Sequence, residues 1–162
     1  MNFCSLILTN GRIYIVNSLH SSFIAALAVL LSLLSISVPA VADDIAIIAN
    51  SKFPLSTISA QDVSNLYLGK VRELTGAGVV KVVDQSASSA IKGQFAQKVL
   101  NKTLSQLNAY WSVRIFTGRG VPPVGLSDER TTKEWIANNP EGIGYVLAKN
   151  VDKSVKVLLI VP

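Results

Sequence analysis

The chain of 162 residues has 15 Lys or Arg and 10 Asp or Glu residues, a formal net charge of +5, and a single Cys and a single His. Cys4 and His20 both lie in the first 42 residues. The rest of the chain therefore predicts no disulfide, no thiol or histidine catalysis and no histidine-based metal site. Its basic residues form no run interleaved with aromatic side chains, which disfavours nucleic-acid binding. We expect neither a cofactor nor a nucleic-acid partner.

The amino-terminal region predicts a secretory signal peptide over residues 1–42. Phe23–Val38 is apolar apart from serines, it falls short of the roughly 20 residues that cross a bilayer, and a small-residue pattern ends at Ala42. Cleavage after Ala42 leaves one α/β domain, residues 43–162, in a periplasm-like compartment with no membrane span. The alternative is an uncleaved membrane anchor.

Four apolar runs in the remaining chain predict buried strands. They are Ile45–Ala49, Val79–Val83, Ile143–Leu147 and Val155–Val161. Capping signals and apolar periodicity predict helices between these runs. The helices begin after Ser59, after the loop Asp84–Ser89, after Thr103 and after Ser127. Gly69 and Pro140 are expected to end the first and the last of them.

Apolar strands separated by helices predict a sheet covered on both faces. The expected fold is a single α/β domain with a mostly parallel or mixed sheet of four or five strands and about four helices.

The loop Asp84–Ser89 is the main candidate site. Ser86, Ser88 and Ser89 lie between a predicted strand and a predicted helix, where free backbone N–H groups and the positive end of the helix dipole favour a small anion. The alternative is that one of these serines is only the N-cap of the helix.

Three further residues are candidate ligand contacts. Asn50 and Ser51 follow the first strand, and ligands gather at the carboxyl ends of parallel strands. Arg119 lies between two glycines and could hold a phosphate through its guanidinium. The alternatives are an ordinary turn for Asn50 and Ser51 and a solvated turn arginine for Arg119.

An enzymatic reading rests on one short motif. Ser89-Ala-Ile-Lys92 matches the S-x-x-K nucleophile pattern, but no K-T-G follows it in the chain. A pattern with two fixed positions arises often by chance. We therefore predict that the protein is not an enzyme and has no catalytic residue.

Several segments together carry a resemblance to a known family. They are Leu66-Tyr-Leu-Gly-Lys70, Tyr110-Trp111, Phe116-Thr-Gly-Arg-Gly120 with Pro123, and Asn139-Pro-Glu-Gly-Ile-Gly-Tyr-Val146. This order resembles the phosphate-binding proteins of ABC importers. It resembles more closely the small secreted PBP-like proteins that correspond to one lobe of that periplasmic-binding-protein fold. The resemblance runs from Ile45 to Val161 and implies a PBP-like lobe.

The resemblance also implies roles at the serine loop. In the phosphate-binding family an arginine, followed a few residues later by Ser-Gly-Thr, holds the oxyanion; here Asp84 matches the arginine, and Ser88-Ser89-Ala90 match the triplet. A lone carboxylate there would repel a phosphate by about 1 to a few kcal/mol.

Two functions follow from these residues. The first is a secreted or periplasmic non-enzymatic binding module for phosphate or another small oxyanion, with an ABC permease or another protein as its partner. The second is a degenerate lobe that binds no small ligand and presents its basic, glycine-rich turn to a protein or envelope partner.

Overall fold

The computed structural model describes residues 6–9, 12–15 and 43–162. The chain divides into two compact units, Met1–Val41 and Ala42–Pro162. In the first unit, β1 (Leu6–Thr9) and β2 (Arg12–Ile15) form an antiparallel pair. The rest of the predicted signal peptide lies outside the described residues. No helix in the described ranges is long and apolar enough to cross a membrane.

The second unit alternates strands and helices. Its strands are β3 (Ile45–Asn50), β4 (Glu73–Leu74), β5 (Gly78–Val79), β6 (Lys81–Gln85), β7 (Val124–Leu126), β8 (Gly142–Leu147) and β9 (Val155–Val161). Its helices are α1 (Ala60–Tyr67), α2 (Ala90–Lys98), α3 (Leu104–Phe116) and α4 (Glu129–Asn138), and a 3-10 turn, Ala148–Asn150, follows β8.

The main sheet is mixed and has the strand order β7-β6-β8-β3-β9. Strand β6 runs parallel to both β7 and β8, whereas β3 runs antiparallel to β8 and β9. All six residues of β3 are buried, as its continuous apolar run predicts. The predicted α/β fold with a mixed sheet is confirmed.

Helices cover both faces of the sheet. Alternate residues of β3 enter two separate cores, because successive side chains of a strand point to opposite faces. Ile45 and Ile47 pack with residues of α1, α2 and α3 in the larger core, while Ala46 and Ile48 pack with Ile136 of α4 in the smaller one.

The capping signals place most helix starts correctly. Ser59 accepts a hydrogen bond from the Asp62 N–H (3.0 Å), and Thr103 forms the predicted capping box with Gln106. The prediction that Ser127 caps α4 is wrong by one residue, since Asp128 caps the helix and accepts from the Thr131 N–H at 2.7 Å. The hydrogen bonds that Thr131 donates lower the pKa of Asp128.

Two features of the sheet differ from the expectation. The run Val79–Val83 is divided, because Gly78–Val79 pair with Glu73–Leu74 in a small separate hairpin and β6 begins only at Lys81. Strand β7 follows the Pro122-Pro123 turn and was not predicted, since its three residues are mostly exposed and carry no apolar alternation.

Substitution of two glycines by alanine should have opposite effects on stability. Gly69 has a φ of 61°, and a Cβ there would lie 2.9 Å from the Trp111 ring, so Gly69→Ala should lower the free energy of unfolding by about 2 kcal/mol. Gly93 lies inside α2, where a Cβ would meet Leu104 at 3.8 Å, so Gly93→Ala should raise it by about 0.5–1 kcal/mol. Urea denaturation measures both, and changes of the same sign would contradict the prediction.

Candidate functional site

The serine loop, residues 86–89, joins the end of β6 to the start of α2. It lies at the sheet edge where the parallel strands β6, β7 and β8 all end. The Ser86 N–H donates to the Leu126 carbonyl at the end of β7 (2.7 Å), and the Ser89 N–H donates to the Ser86 carbonyl (2.9 Å). These two bonds fix the loop beside the carboxyl end of β7.

The serine hydroxyls are not committed to capping α2. Ser89 occupies the N-cap position, but its side chain makes no capping hydrogen bond. The hydroxyls of Ser86 and Ser88 share a hydrogen bond of 3.0 Å, and Ser88 is exposed. The loop therefore presents hydroxyl groups at the start of a helix, as the sequence predicts, and the helix backbone does not consume them.

Asp84, which precedes the loop, is neutralised by a lysine. The Lys92 Nζ lies 2.7 Å from Asp84 Oδ2, and the two side chains are only 18 % and 11 % exposed. The same ammonium donates to the Gln85 carbonyl at 3.0 Å. The carboxylate of Asp84 is thus half of an internal ion pair.

The second oxygen of the Asp84 carboxylate is held from the sheet. Its Oδ1 accepts from the hydroxyl of Tyr145 in β8 and from the Gln85 N–H (2.7 Å). Burial, and then the negative charge of Asp84, raise the pKa of Tyr145 far above its usual value. Its hydroxyl therefore stays a donor at neutral pH. Phe95 of α2 stacks on the Tyr145 ring at a centroid distance of 3.9 Å.

Gln85 extends this network to the other face of the sheet. Its side-chain amide donates to Thr132 Oγ1 of α4 (3.0 Å) and to the Tyr145 carbonyl (3.1 Å). Sequence reasoning missed Lys92, Tyr145 and Gln85 as partners of Asp84. A signal for Lys92 was present, because a buried carboxylate needs a counter-charge and Lys92 is the one basic residue between Lys81 and Lys98.

Asn50 and Ser51 are not brought to the serine loop. Because β3 runs antiparallel to β8, Asn50 lies beside the beginning of β8, at the sheet edge opposite to the loop. The Asn50 amide donates to the carbonyls of Ile136 (2.9 Å) and Ala137 (2.8 Å) at the end of α4, and its oxygen accepts from the Lys52 N–H (2.9 Å). The parallel arrangement that motivated this candidate does not occur at β3.

Arg119 lies in the exposed turn after α3. The Arg114 guanidinium braces this turn by donating to the carbonyls of Arg119 (2.8 Å) and Gly69 (3.0 Å). Arg119 also lines a cavity of about 440 Å³ with Tyr110 and other residues of α3 and the turn. Trp111 is buried in the core, and Tyr110 donates to the Leu68 carbonyl (2.7 Å), so both aromatic residues serve packing.

A second cavity, of about 320 Å³, opens beside the ion pair. Its polar lining comes from Asp84, Lys92, Asn108 and Ser112, and Ile115 and Pro122 are among its apolar residues. Within the described ranges no group of three or more His, Cys, Asp or Glu side chains could hold a metal ion. The ammonium of Lys92 is bound to a carboxylate and a carbonyl, which is the geometry of an ion pair rather than that of a free amine poised to activate Ser89.

Removing the counter-charge of Asp84 should destabilise the protein. Lys92→Met should lower the free energy of unfolding by about 3 kcal/mol, because it leaves a buried carboxylate unpaired. The additional change Asp84→Asn should recover part of this loss. The control is Lys81→Met, whose ion pair with Glu141 is exposed and should contribute little. Urea denaturation measures all three variants, and equal effects of the two lysine substitutions would contradict a structural role of the buried pair.

No protein-family model matches the chain, and no curated protein sequence matches it. Among solved structures, the chain is similar to an ABC-type phosphate transport receptor from Vibrio cholerae, with 20% identity and a TM-score of 0.57 over 72% of this chain and 46% of the receptor. A protein described as a phosphate ABC transporter substrate-binding protein with bound phosphate, from Clostridium perfringens, gives 20% identity and a TM-score of 0.58 over 72% of this chain and 44% of that one.

PstS from Borrelia burgdorferi gives 13% identity and a TM-score of 0.55, again over 72% of this chain and 46% of PstS. The chain thus spans less than half the length of each of these proteins. At these identities the likeness concerns the fold, and it confirms the resemblance that the sequence motifs indicate. The chain has the α/β fold of the substrate-binding proteins of phosphate ABC transporters, over a part that corresponds to one PBP-like lobe.

Proposed function

We propose that the protein is a secreted, non-enzymatic binding module that holds phosphate or another small oxyanion at Ser86, Ser88 and Ser89. The ion pair of Asp84 and Lys92 carries this proposal, because it removes the main objection to an anion at the loop. Asn50 and Ser51 are outside the proposed site, since they lie at the opposite edge of the sheet.

The charges around the loop support an anionic ligand. A lone carboxylate at the base of the loop would repel an anion by about 1–4 kcal/mol at a separation of about 4 Å, depending on the local dielectric. Lys92 holds its positive charge 2.7 Å from Asp84, so most of that repulsion is cancelled. From Gln85 to Ser127 the chain has no Asp or Glu and has five Lys or Arg residues. The paired Asp84 therefore adds little net negative charge to the base of the loop.

The start of α2 and the serine hydroxyl groups of the loop supply the contacts. The start of α2 contributes the partial positive charge of its dipole, worth about 0.3–1 kcal/mol to an anion. The uncapped Ser89 and the exposed Ser88 add hydroxyl donors. The solved proteins of the same fold include a receptor for phosphate transport and a protein with bound phosphate. By analogy, we extend to this chain an ABC permease or another protein as partner and a periplasmic location after removal of residues 1–42.

A ligand titration with paired variants tests the site. The unfolding of the purified protein is followed by thermal shift in inorganic phosphate, in sulfate and in chloride at equal ionic strength. Phosphate or sulfate at 100 times its dissociation constant should add about 2.7 kcal/mol to the free energy of unfolding. The double variant Ser88→Ala/Ser89→Ala should lose most of this gain while it keeps the stability of the ligand-free protein.

The matched control is Ser105→Ala, which removes an exposed serine from the first turn of α3. It should leave the ligand-induced shift unchanged. Absence of a shift with either anion at millimolar concentration would disprove the proposal. An equal loss in Ser105→Ala and in the double variant would assign binding to some other part of the surface.

A further inference from the structure

We propose that the turn after α3 docks the protein on an anionic lipid surface. The docking tip consists of residues 115–121, from the end of α3 through the glycine-rich turn. Phe116 and Val121 would enter the boundary between headgroups and acyl chains, and Arg119 would contact lipid phosphates. This inference does not depend on the anion site at the serine loop.

The tip exposes apolar side chains to an unusual degree. Phe116 is 93 % exposed, Val121 74 % and Ile115 53 %. A single exposed apolar residue is ordinary, but a nearly fully exposed phenylalanine with two further exposed apolar residues in the same seven-residue segment marks an interaction site. The three residues lie within seven positions of one another, on both sides of a turn that brings the chain back on itself.

Hydrogen bonds hold the tip in one conformation. The Gly118 N–H donates to the Ile115 carbonyl (3.0 Å), and the Arg119 N–H donates to the Arg114 carbonyl (2.8 Å). Gly118 has a φ of 65°, which lets the turn close without strain, and the Arg114 guanidinium donates back to the Arg119 carbonyl (2.8 Å). Phe116 is therefore displayed on a turn that is already ordered, so that docking does not require the backbone to be ordered first.

The charge of this region selects an anionic surface. No Asp or Glu occurs from Gln85 to Ser127, whereas Lys98, Lys102, Arg114 and Arg119 all lie in this stretch in addition to the paired Lys92. Arg119 is exposed, and none of the ion pairs among residues 43–162 involves it. An exposed apolar tip that carries such an arginine, on a stretch of chain without acidic residues, fits the pattern of peripheral attachment to anionic lipid.

The size of the tip favours a lipid surface over a folded protein partner. A stable protein interface buries about 800 Å² on each side, which a turn of seven residues does not supply by itself. The apolar side chains also stand at the end of a helix and on a turn, where they can enter a soft headgroup layer without a complementary groove. A lipid surface therefore accounts for both the apolar and the basic residues of the tip.

Co-sedimentation with vesicles tests this inference. One set of vesicles contains phosphatidylcholine alone, and the other contains equal parts of phosphatidylcholine and phosphatidylglycerol. The protein should bind the mixed vesicles more tightly, and this binding should weaken as sodium chloride is added. Phe116→Ser should weaken binding to the mixed vesicles by about tenfold, and Arg119→Gln should remove part of the preference for phosphatidylglycerol.

The matched control is Val79→Ser, since Val79 is 58 % exposed on the separate β4–β5 hairpin. It should bind as the unchanged protein does. All variants are prepared either with residues 1–42 or without them. Differences in vesicle binding between variants therefore reflect the docking tip. Circular dichroism confirms that each variant is folded.

Three results would overturn the inference. They are equal binding to both kinds of vesicle, equal binding by Phe116→Ser and Val79→Ser, and a dimer in sedimentation velocity that Phe116→Ser abolishes. The last result would assign the tip to a second copy of the chain. Failure of vesicle binding leaves the thermal shift with phosphate unaffected, so the two proposals fail separately.

Discussion

The ion pair between Asp84 and Lys92 is the constraint on which the candidate site depends. It joins Asp84, near the carboxyl end of β6, to Lys92 in the first turn of α2. The serine loop lies between these two residues. Tyr145 adds a hydrogen bond from β8, so that β6, α2 and β8 meet at one carboxylate. The side chain of Gln85 links this site to α4 through Thr132. A buried carboxylate is stable at this position only while all of its partners are present. The conformation of the serine loop therefore depends on the core residues that hold Asp84.

The pair also decides the charge at the base of the loop. A single negative charge at the base of the loop would exclude an anion over several ångströms, whereas a closed pair leaves a dipole whose field falls off faster. The hydroxyl of Ser89 makes no capping hydrogen bond, and the chain from Gln85 to Ser127 contains no Asp or Glu. The loop therefore carries a paired carboxylate at the position where the resemblance implies an arginine.

Much of the fold could be predicted from the sequence because its signals are local. The apolar runs of β3, β8 and β9 and the caps at Ser59 and Thr103 depend on neighbouring residues only. The direction of β3 in the sheet does not follow from neighbouring residues, since an apolar run buried on both faces looks the same in parallel and antiparallel sheets. The sequence therefore led to an expected position for Asn50 at the wrong edge of the sheet. The partner of Asp84 was missed for a similar reason. Lys92 reaches it only through the turn of the serine loop, whereas the Tyr145 hydroxyl arrives from a distant strand.

The distribution of charge connects the two proposed surfaces. Apart from Asp84, the acidic residues after position 44 lie in segments that flank the stretch from Gln85 to Ser127. Two of them pair with lysines, Glu141 with Lys81 and Asp152 with Lys133. The acid-free stretch contains both the serine loop and the docking tip. The two sites should nevertheless respond differently to salt. Attraction of the exposed tip to a membrane would be screened within about 10 Å at 0.1 M salt, whereas an anion at the loop would be held mainly by short hydrogen bonds. The two proposed surfaces therefore share one acid-free stretch of the chain but should differ in how strongly salt weakens their binding.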